Sequence, residues 1–338
     1  MYKKRQPADS DPEALAILRE QELRKRHAQS RAVLAQLVLR GDCDLHMHSN
    51  ASDGSDSPPA LLQKVMQQGL KAYALTDHDG VSGLEAMDLV REKLTKLGVE
   101  LPDYVPGLEV SASYALDEGS QEVHVLGYFP LGGIEGLAEF LEEQRQSRDE
   151  RNRQVCARLQ ELGFEISFEE LQGEGSEVIG RPHVAALMVR KGYAGSYREA
   201  FDDWLSAGRP AYVRRKQPPV EEVIRVIRAA GGLPVLAHPS LYAGWMTSEA
   251  ELRERFQGLQ AYGLDGVELY QGETTLEHAR LVSRAVAGLG LLPTIGSDYH
   301  GVNKNDVEML RAGMDWSELF EPHWALLEQE AGLNRDDR

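Results

Sequence analysis

Cysteine is almost missing from this chain: Cys43 and Cys156 are the only two in 338 residues. Two thiols cannot build a disulfide framework, and such sparse use fits a reducing cytoplasm. Long apolar runs are also lacking. No stretch approaches the ~20 apolar residues of a membrane span, and the N-terminus has no continuous apolar core of a secretion signal. Positive charge is in deficit, with a formal net charge of −17. That balance argues against a broad basic surface for nucleic acid, although it permits a small anionic substrate drawn in by bound cations. Repeats and low-complexity segments are absent. The expectation is a soluble, cytoplasmic protein, long enough for one large α/β domain or for a domain with an insertion.

What is present is unevenly arranged. Residues 1–40 carry nine Lys/Arg against five Asp/Glu, about +4, which leaves about −21 for the remainder. Asp11 and Pro12 form a helix-start pair, Leu15, Leu18, Leu23, Val33, Leu34 and Leu37 supply apolar positions, and Gly41 supplies a stop. The spacing predicts a helix over 11–40, packed on the main body or on a partner subunit. From Asp42 onward, apolar runs suit strands at 42–46, 72–76, 104–111, 122–128, 234–237, 266–270 and 292–296. Helical patterns fall at 58–69, 82–97, 218–230, 249–262 and 275–289, and the alternation suggests a parallel sheet or barrel. Residues 130–217 break the rhythm with a charged helix near 136–161, a glycine-rich link at 172–180 and short helices near 182–191 and 197–206. The expected organisation is a helical extension over 1–41, a barrel built from 42–129 and 218–312, a helical insertion over 130–217 covering one end of it, and a C-terminal segment over 313–338.

Polar residues then cluster at the predicted strand ends. Asp44-Leu45-His46-Met47-His48 is followed by Asp53, and alternation along a strand puts His46 and His48 on one face, able to share an ion. His78 follows the second strand between Asp77 and Asp79, Glu109 and His124 lie in the next two, His238 closes the 234–237 run, and Asp298 and His300 close the last. In barrels of this kind the chemistry sits at the C-terminal ends of the strands. Six histidines and three carboxylates on different strands would therefore converge on one pocket. Imidazole and carboxylate without thiolate select manganese, iron, zinc or cobalt. Nine candidate ligands exceed the needs of one ion, so two or three ions bridged by a carboxylate are expected. Such a cluster generates hydroxide near neutral pH and clamps both oxygens of an in-line phosphoryl displacement. Cys43 alternates away from that face and reads as core.

This pattern resembles the PHP (polymerase and histidinol phosphatase) family of metal-dependent phosphoesterases. The matching motifs are DLHMHSNASDG at 44–54, ALTDHDGVSG at 74–83, VPGLEVS at 105–111, HVLGY at 124–128, LAHP at 236–239 and TIGSDYHG at 294–301. The resemblance implies an α/β fold, a distorted (β/α)7 TIM-like barrel with the helical insertion, holding two or three divalent ions, manganese first with iron or zinc as alternatives. It implies that His46, His48, Glu109 and Asp298 hold one ion, that Glu109 bridges to a second held by His124 and His238, and that Asp53, His78 and His300 hold the third. Asp298 is also a candidate catalytic residue.

Residues 179–215 are similar to the branch acting on 3′,5′-bisphosphate nucleotides and on the 5′ ends of RNA, which includes an exoribonuclease. Arg181 offers a fork to phosphate, and His183 stands at a new helix N-terminus, where it could bind phosphate or protonate the leaving oxygen. Arg214, Arg215 and Lys216 could steer a second phosphate. Arg148, Arg151 and Arg153 are weaker candidates, with Glu143, Asp149 and Glu150 available to pair with them. Glu268 is read as support behind the ligands, Asp77 and Asp79 as orienting His78, and His27, His278 and His323 as surface residues. Trp316 and Trp324 should pack the C-terminal segment. The expected substrate is a small phosphorylated molecule, a nucleotide or short RNA, with homo-oligomerisation an open option. The alternatives are a phosphatase or cyclic-phosphate diesterase for a sugar phosphate or histidinol phosphate, and a non-enzymatic nucleic-acid-binding or assembly module using the basic N-terminal helix.

Overall fold

Seven apolar runs between residues 43 and 295 form strands, and in four of them every residue is buried, as a sheet covered on both faces requires. The structure is a computed structural model that describes residues 12–333, apart from 174, 175 and 177. The strands are β1 (Cys43–Asp44), β2 (Ala72–Leu75), β3 (Asp103–Ala115), β4 (Ser120–Tyr128), β5 (Leu233–Leu236), β6 (Gly266–Tyr270) and β7 (Leu292–Ile295). They lie side by side in chain order. Backbone bonds beyond the strand ends bring the two edges together. Leu45 N donates to Ile295 O (3.1 Å), Asp298 N to His46 O (2.8 Å) and His48 N to Tyr299 O (2.9 Å). The buried Asp44 carboxylate adds to this seam by accepting from the backbone N–H of Ser297 (2.8 Å) and Leu310 (3.0 Å). The expected seven-stranded barrel is present.

One strand departs from the expected parallel order. β4 runs antiparallel to both β3 and β5. The link of residues 116–119 is too short for a crossover, which needs a dozen or more residues, so the chain can only turn back as a hairpin. Gly119, at φ +84°, supplies the left-handed position of that turn. The reversal matters for function, because β4 enters from the end at which its neighbours finish. His124, at its middle, faces Ser111 across the register instead of lying at the far end of the barrel.

The helices between strands are amphipathic. In Val220–Ala229 the residues Val220, Val223, Ile224 and Ile227 are buried at helical spacing. Residues between β4 and β5 form a second core of their own, in which Leu159, Phe168, Leu171, Val184 and Met188 are central. The predicted helix at 197–206 is two pieces, an α-turn at Tyr197–Ala200 and a π-turn at Phe201–Leu205.

The N-terminal helix Pro12–Arg40 packs on the barrel and against the C-terminal helix Trp324–Ala331. Leu34, Ala35, Leu37 and Val38 are its buried face. Two of its basic residues, Arg26 and Arg31, bond into the molecule, while Arg24, Lys25 and Arg40 stay exposed. Arg31 bonds the Asp265 carboxylate (3.0 Å), Gly290 O and Glu330, and Arg26 bonds Leu131 O. His27 is not a surface residue: its Nε2 lies 2.8 Å from Asp265. His323 is likewise buried against Ser283, and burial pulls its ring down to about 4. His278 is half-buried. Trp316 packs on Tyr270 and Trp324 on Phe320, as anticipated. Among the described residues no helix is long and apolar enough to cross a membrane.

Asp265 is the anchor of this docking, with its side chain 4% exposed and three basic side chains within 3.3 Å. Removing one partner of a buried pair strands the others, so Asp265→Ala should destabilise the protein by about 3 kcal/mol. Arg24→Ala, in the exposed pair with Glu20, should cost less than about 0.5 kcal/mol. Urea denaturation of the two variants beside the parent chain checks the contrast.

Candidate functional site

The segments following β1, β2, β5 and β7, together with the middle of β3 and the middle of β4, deliver nine ionisable side chains to one end of the barrel. Three of the four non-glycine residues with positive φ are here: Asp79 (+45°), His238 (+28°) and Asp298 (+58°). Such backbone is strained and persists only when its surroundings hold it in place. At Gly296 an added Cβ would sit 2.2 Å from the His46 Cβ, so only glycine lets β7 pass this close to the histidine.

Glu109 is the centre. Its Oε2 lies 3.3 Å from both His46 Nε2 and His48 Nε2 and 3.1 Å from His78 Nδ1. Its Oε1 lies 2.9 Å from His124 Nδ1 and 2.9 Å from His238 Nε2. Asp298 Oδ1 is 3.3 Å from His48 Nε2 and 3.5 Å from His46 Nε2. Asp53 faces His300 Nε2 at 3.2 Å and His78 Nε2 at 3.7 Å. Three groups of donor atoms close enough to surround a cation result: His46, His48, Glu109 and Asp298; His48, Asp53, His78 and His300; and His78, Glu109 and His124. The first is the set expected for one ion. In the other two the structure shares His48 and His78 between groups, where the family pattern divided them.

The protonation chemistry of the cluster is that of an anionic site. Burial pulls His46 down, yet Glu268, Glu109 and Asp298 outweigh it and hold the ring well above its ordinary value. His124 is treated the same way by Glu109 and Glu122 and is pushed up to about 10. His78 goes the other way, down to about 3, because burial exceeds the attraction of Glu109 and Asp53. Despite burial, the surrounding rings keep Glu109 and Asp53 well below the usual carboxylate range. Glu109 Oε2, His48 Nδ1 and His78 Nδ1 are buried with no hydrogen-bond partner. Buried polar atoms are rarely left so, and bound cations supply the missing partner. The residues fit a group of divalent ions.

Glu268 supports the cluster from behind. One of its oxygens takes His46 Nδ1 (3.0 Å) and the other accepts from the His238 backbone N–H (2.7 Å). This fixes the His46 tautomer with Nε2 turned to the cluster. Asp77 and Asp79 stand outside the donor groups, and neither contacts the His78 ring. Asp77 instead holds the following loop through Ser49 and Ser52, and Asp79 holds two arginines and the Ser111 N–H.

Those arginines open onto a cavity of about 140 Å³ bordered by Asp53, His78 and His124. Arg148, Arg151, Arg181 and Arg215 all line it. Arg148 Nε and Arg215 Nη1 reach Asp79 at 2.6 and 2.8 Å. Arg181 has only a long contact with Glu122, 3.8 Å, and stacks near Tyr212. Arg151 Nε is buried with no partner, and burial, then repulsion from Arg148, Arg181 and Arg215, pulls its guanidinium down to about 9. Four guanidiniums against the carboxylates of Asp79 and Glu122 leave the cavity positive.

Several expected phosphate contacts lie elsewhere. His183 does not face this cavity. Its Nδ1 accepts from Gly180 N (3.0 Å) and its Nε2 faces Ser176 Oγ (3.1 Å), so the ring closes the start of its own helix. Arg214 is turned to Ser120 at the β3–β4 hairpin, and Lys216 is exposed outside the cavity lining. Arg153 lies over Phe168.

Arg148 and Arg151 outrank their place in the sequence reading. Asp149 pairs with Arg145 and not with them. The signal was available: they sit at helical spacing between Leu141, Gln144 and Val155, on the buried stripe of Ala138–Glu161. Glu122 and Lys304 were missed altogether. Lys304 Nζ lies 2.7 Å from Asp298 and 2.6 Å from Glu273, and nothing in its local sequence marks it. Because Glu268 orients a ligand without joining the donor groups, Glu268→Gln should keep the fold while lowering divalent-ion affinity about 10- to 100-fold, as isothermal titration of chelator-stripped protein would read.

Comparison with known proteins agrees with this geometry. The PHP domain pattern matches residues 44–209. The chain is 30% identical to a 3′,5′-nucleoside bisphosphate phosphatase of Chromobacterium violaceum over 84% of this chain and 96% of that protein. It is 32% identical to a phosphoribosyl 1,2-cyclic phosphate 1,2-diphosphodiesterase of Eggerthella lenta, over 76% and 94%. A 5′-3′ exoribonuclease of Haemophilus influenzae is 28% identical over 76% and 89%. A solved protein from Bifidobacterium adolescentis, described as a metal-dependent phosphoesterase, superposes with a TM-score of 0.69 at 26% identity, covering 88% of this chain and 98% of its own. A cluster of imidazoles and carboxylates at the strand ends of a seven-stranded barrel, with relatives that all cleave phosphate esters, thus places the chain in the PHP family, as a metal-dependent hydrolase of phosphate esters.

Proposed function

We propose that this phosphoesterase acts on a small substrate carrying two phosphate groups, in the class of 3′,5′-bisphosphorylated nucleotides and the 5′ ends of short oligoribonucleotides. The observation that carries this reading is the arginine cavity, which shares Asp53, His78 and His124 with the donor cluster. A phosphate at the cluster and a second anion among Arg148, Arg151, Arg181 and Arg215 would be neighbours on one molecule. Arginine forks suit phosphate oxygens, and in a partly dry cavity each charged hydrogen bond counts more than in water. Arg148 and Arg215 are held in place by Asp79, while Arg151 and Arg181 keep the most capacity for a ligand.

His46, His48, Glu109 and Asp298 would hold one ion, with Asp53, His78, His124, His238 and His300 completing one or two further sites around them. Manganese is the choice that imidazole and carboxylate donors without thiolate favour, with iron or zinc also suited. Bound there, such ions supply charge neutralisation at phosphorus and an activated water. The protein's own part is to fix the donors, through Glu268 and Asp44, and to take up phosphate charge through the arginines. The activities of the relatives from Chromobacterium violaceum and Haemophilus influenzae support the nucleotide reading. The Eggerthella lenta relative supports a second reading, a cyclic-phosphate diester of a sugar. Long RNA is disfavoured by the net charge of −17, since a long strand needs an extended basic track.

A phosphate-release screen with manganese-loaded protein separates these readings, using adenosine 3′,5′-bisphosphate, short 5′-phosphorylated RNA, histidinol phosphate and a cyclic sugar phosphate. Turnover should be highest on the first two. Negligible turnover of both, beside good turnover of a sugar or histidinol ester, would overturn the assignment. Arg151→Ala and Arg181→Ala should each raise KM for adenosine 3′,5′-bisphosphate about 10- to 100-fold, the scale of a lost charged hydrogen bond, with a smaller effect on adenosine 5′-monophosphate. Equal effects on the two nucleotides would remove the second-phosphate role.

A further inference from the structure

A second cavity, of about 500 Å³, borders the same donor cluster and has a different character. It shares five lining residues with the first, Asp53, His78 and His124 from the cluster and Pro182 and Phe201 beside it. Away from the cluster its wall has an apolar part, Pro182, Tyr197, Phe201 and Leu241, and a polar part, Glu273, Asn303 and Lys304. Lys304 is the one lysine or arginine in the lining, and it is already engaged by Asp298 and Glu273. A phosphate there would gain no free cation and would meet four carboxylates, Asp53, Glu109, Glu273 and Asp298. An uncharged, flat, apolar group meets no such penalty.

The wall is built to present aromatic surface. Tyr197 and Phe201 are half-buried, packed on the core of residues 155–213. Leu241, from the segment after β5, remains 44% exposed. Phe201 also opens the π-turn, in which Ser206 N donates to Phe201 O at 3.0 Å. Single π-turns are uncommon and occur often at functional sites. Aromatic side chains left half-covered beside a phosphate-cleaving centre are the platform that a heterocyclic base stacks on.

We infer that this second cavity is a nucleobase subsite, in which Phe201 and Tyr197 stack on the base of the substrate while the arginine cavity takes its second phosphate. The inference rests on the nucleotide reading above and extends it. It divides one substrate among three places: reacting phosphate at the cluster, distal phosphate among the arginines, base against the aromatic wall. Phe201 and Pro182 line both cavities, and so stand where the sugar joins the two ends.

The test compares kcat/KM for adenosine 3′,5′-bisphosphate with that for its abasic analogue, which carries hydrogen in place of adenine. The parent protein should favour the base-bearing substrate by about 5- to 150-fold, the range measured for a base on an aromatic ring. Phe201→Ala and Tyr197→Ala should each bring that ratio toward one, chiefly through KM of the base-bearing substrate. Phe201→Leu keeps the apolar volume without the ring, and it decides the matter if the alanine variant does not fold. A parent ratio near one, or a ratio unchanged in Phe201→Leu and Tyr197→Ala, would overturn the subsite. Failure of the second-phosphate reading has a different signature: no preference of the parent protein for adenosine 3′,5′-bisphosphate over adenosine 5′-monophosphate, a comparison that leaves the base constant.

Discussion

A carboxylate with no solvent exposure, Glu109, sits within 3.3 Å of nitrogens from five histidines. Most of the molecule's design follows from that arrangement. An isolated buried charge costs several kcal/mol or more, and rings that carry no proton offer it little. The cluster therefore requires positive charge, and His46, His48 and His124 are all pushed toward holding protons by the carboxylates around them. Divalent ions would satisfy the same requirement by displacing those protons from the rings. The strand order is what makes the cluster possible. Glu109 lies in the middle of β3, and only because β4 doubles back beside it does His124 reach its Oε1.

The surrounding structure keeps opposite charges in separate compartments. Asp79 stands between them, with its backbone N–H on Glu109 O and its carboxylate on Arg148, Arg215 and the Ser111 N–H. The arginines are thereby held next to the cluster without collapsing into it. Residues 181–215 of the insertion then roof the cluster, contributing Arg181 and Pro182, Phe201, and the 212–215 segment. On the proposed reading, the barrel supplies the reacting centre and residues 181–215 the selectivity, which accords with relatives whose activities differ in substrate. At the opposite end of the barrel, the N-terminal helix is fastened through Asp265. There His27 and Arg31 of the helix turn toward the Asp265 carboxylate.

Much of this was legible before any coordinates. Strand positions and the insertion followed from apolar periodicity, because covered strands and amphipathic helices have different repeats. The donor residues followed from their places at strand ends. Two kinds of information were not local enough to read. Partner choice was one: Arg148 lies beside Asp149 in the chain, yet it bonds Asp79 across the fold, and Lys304 reaches Asp298 only because the 301–304 turn folds back. Motif reading also overvalued neighbours in sequence. Arg214, Arg215 and Lys216 are consecutive, but an extended segment sends them in different directions, and only Arg215 enters the cavity. His183, at a helix start, caps that helix and also lines a pocket that Asp53 borders. The direction of β4 was within reach of the sequence, since the short link at 116–119 allows nothing else.

The central claim is that the buried cluster around Glu109 exists to hold cations. Native mass spectrometry of the intact chain, before and after chelation and reloading with manganese, tests it most directly. The account predicts two or three divalent ions per chain, lost on chelation and regained on reloading, with at least one fewer in Glu109→Gln. A chain that takes up no divalent ion at micromolar concentration, or a Glu109→Gln chain with the full complement, would contradict it.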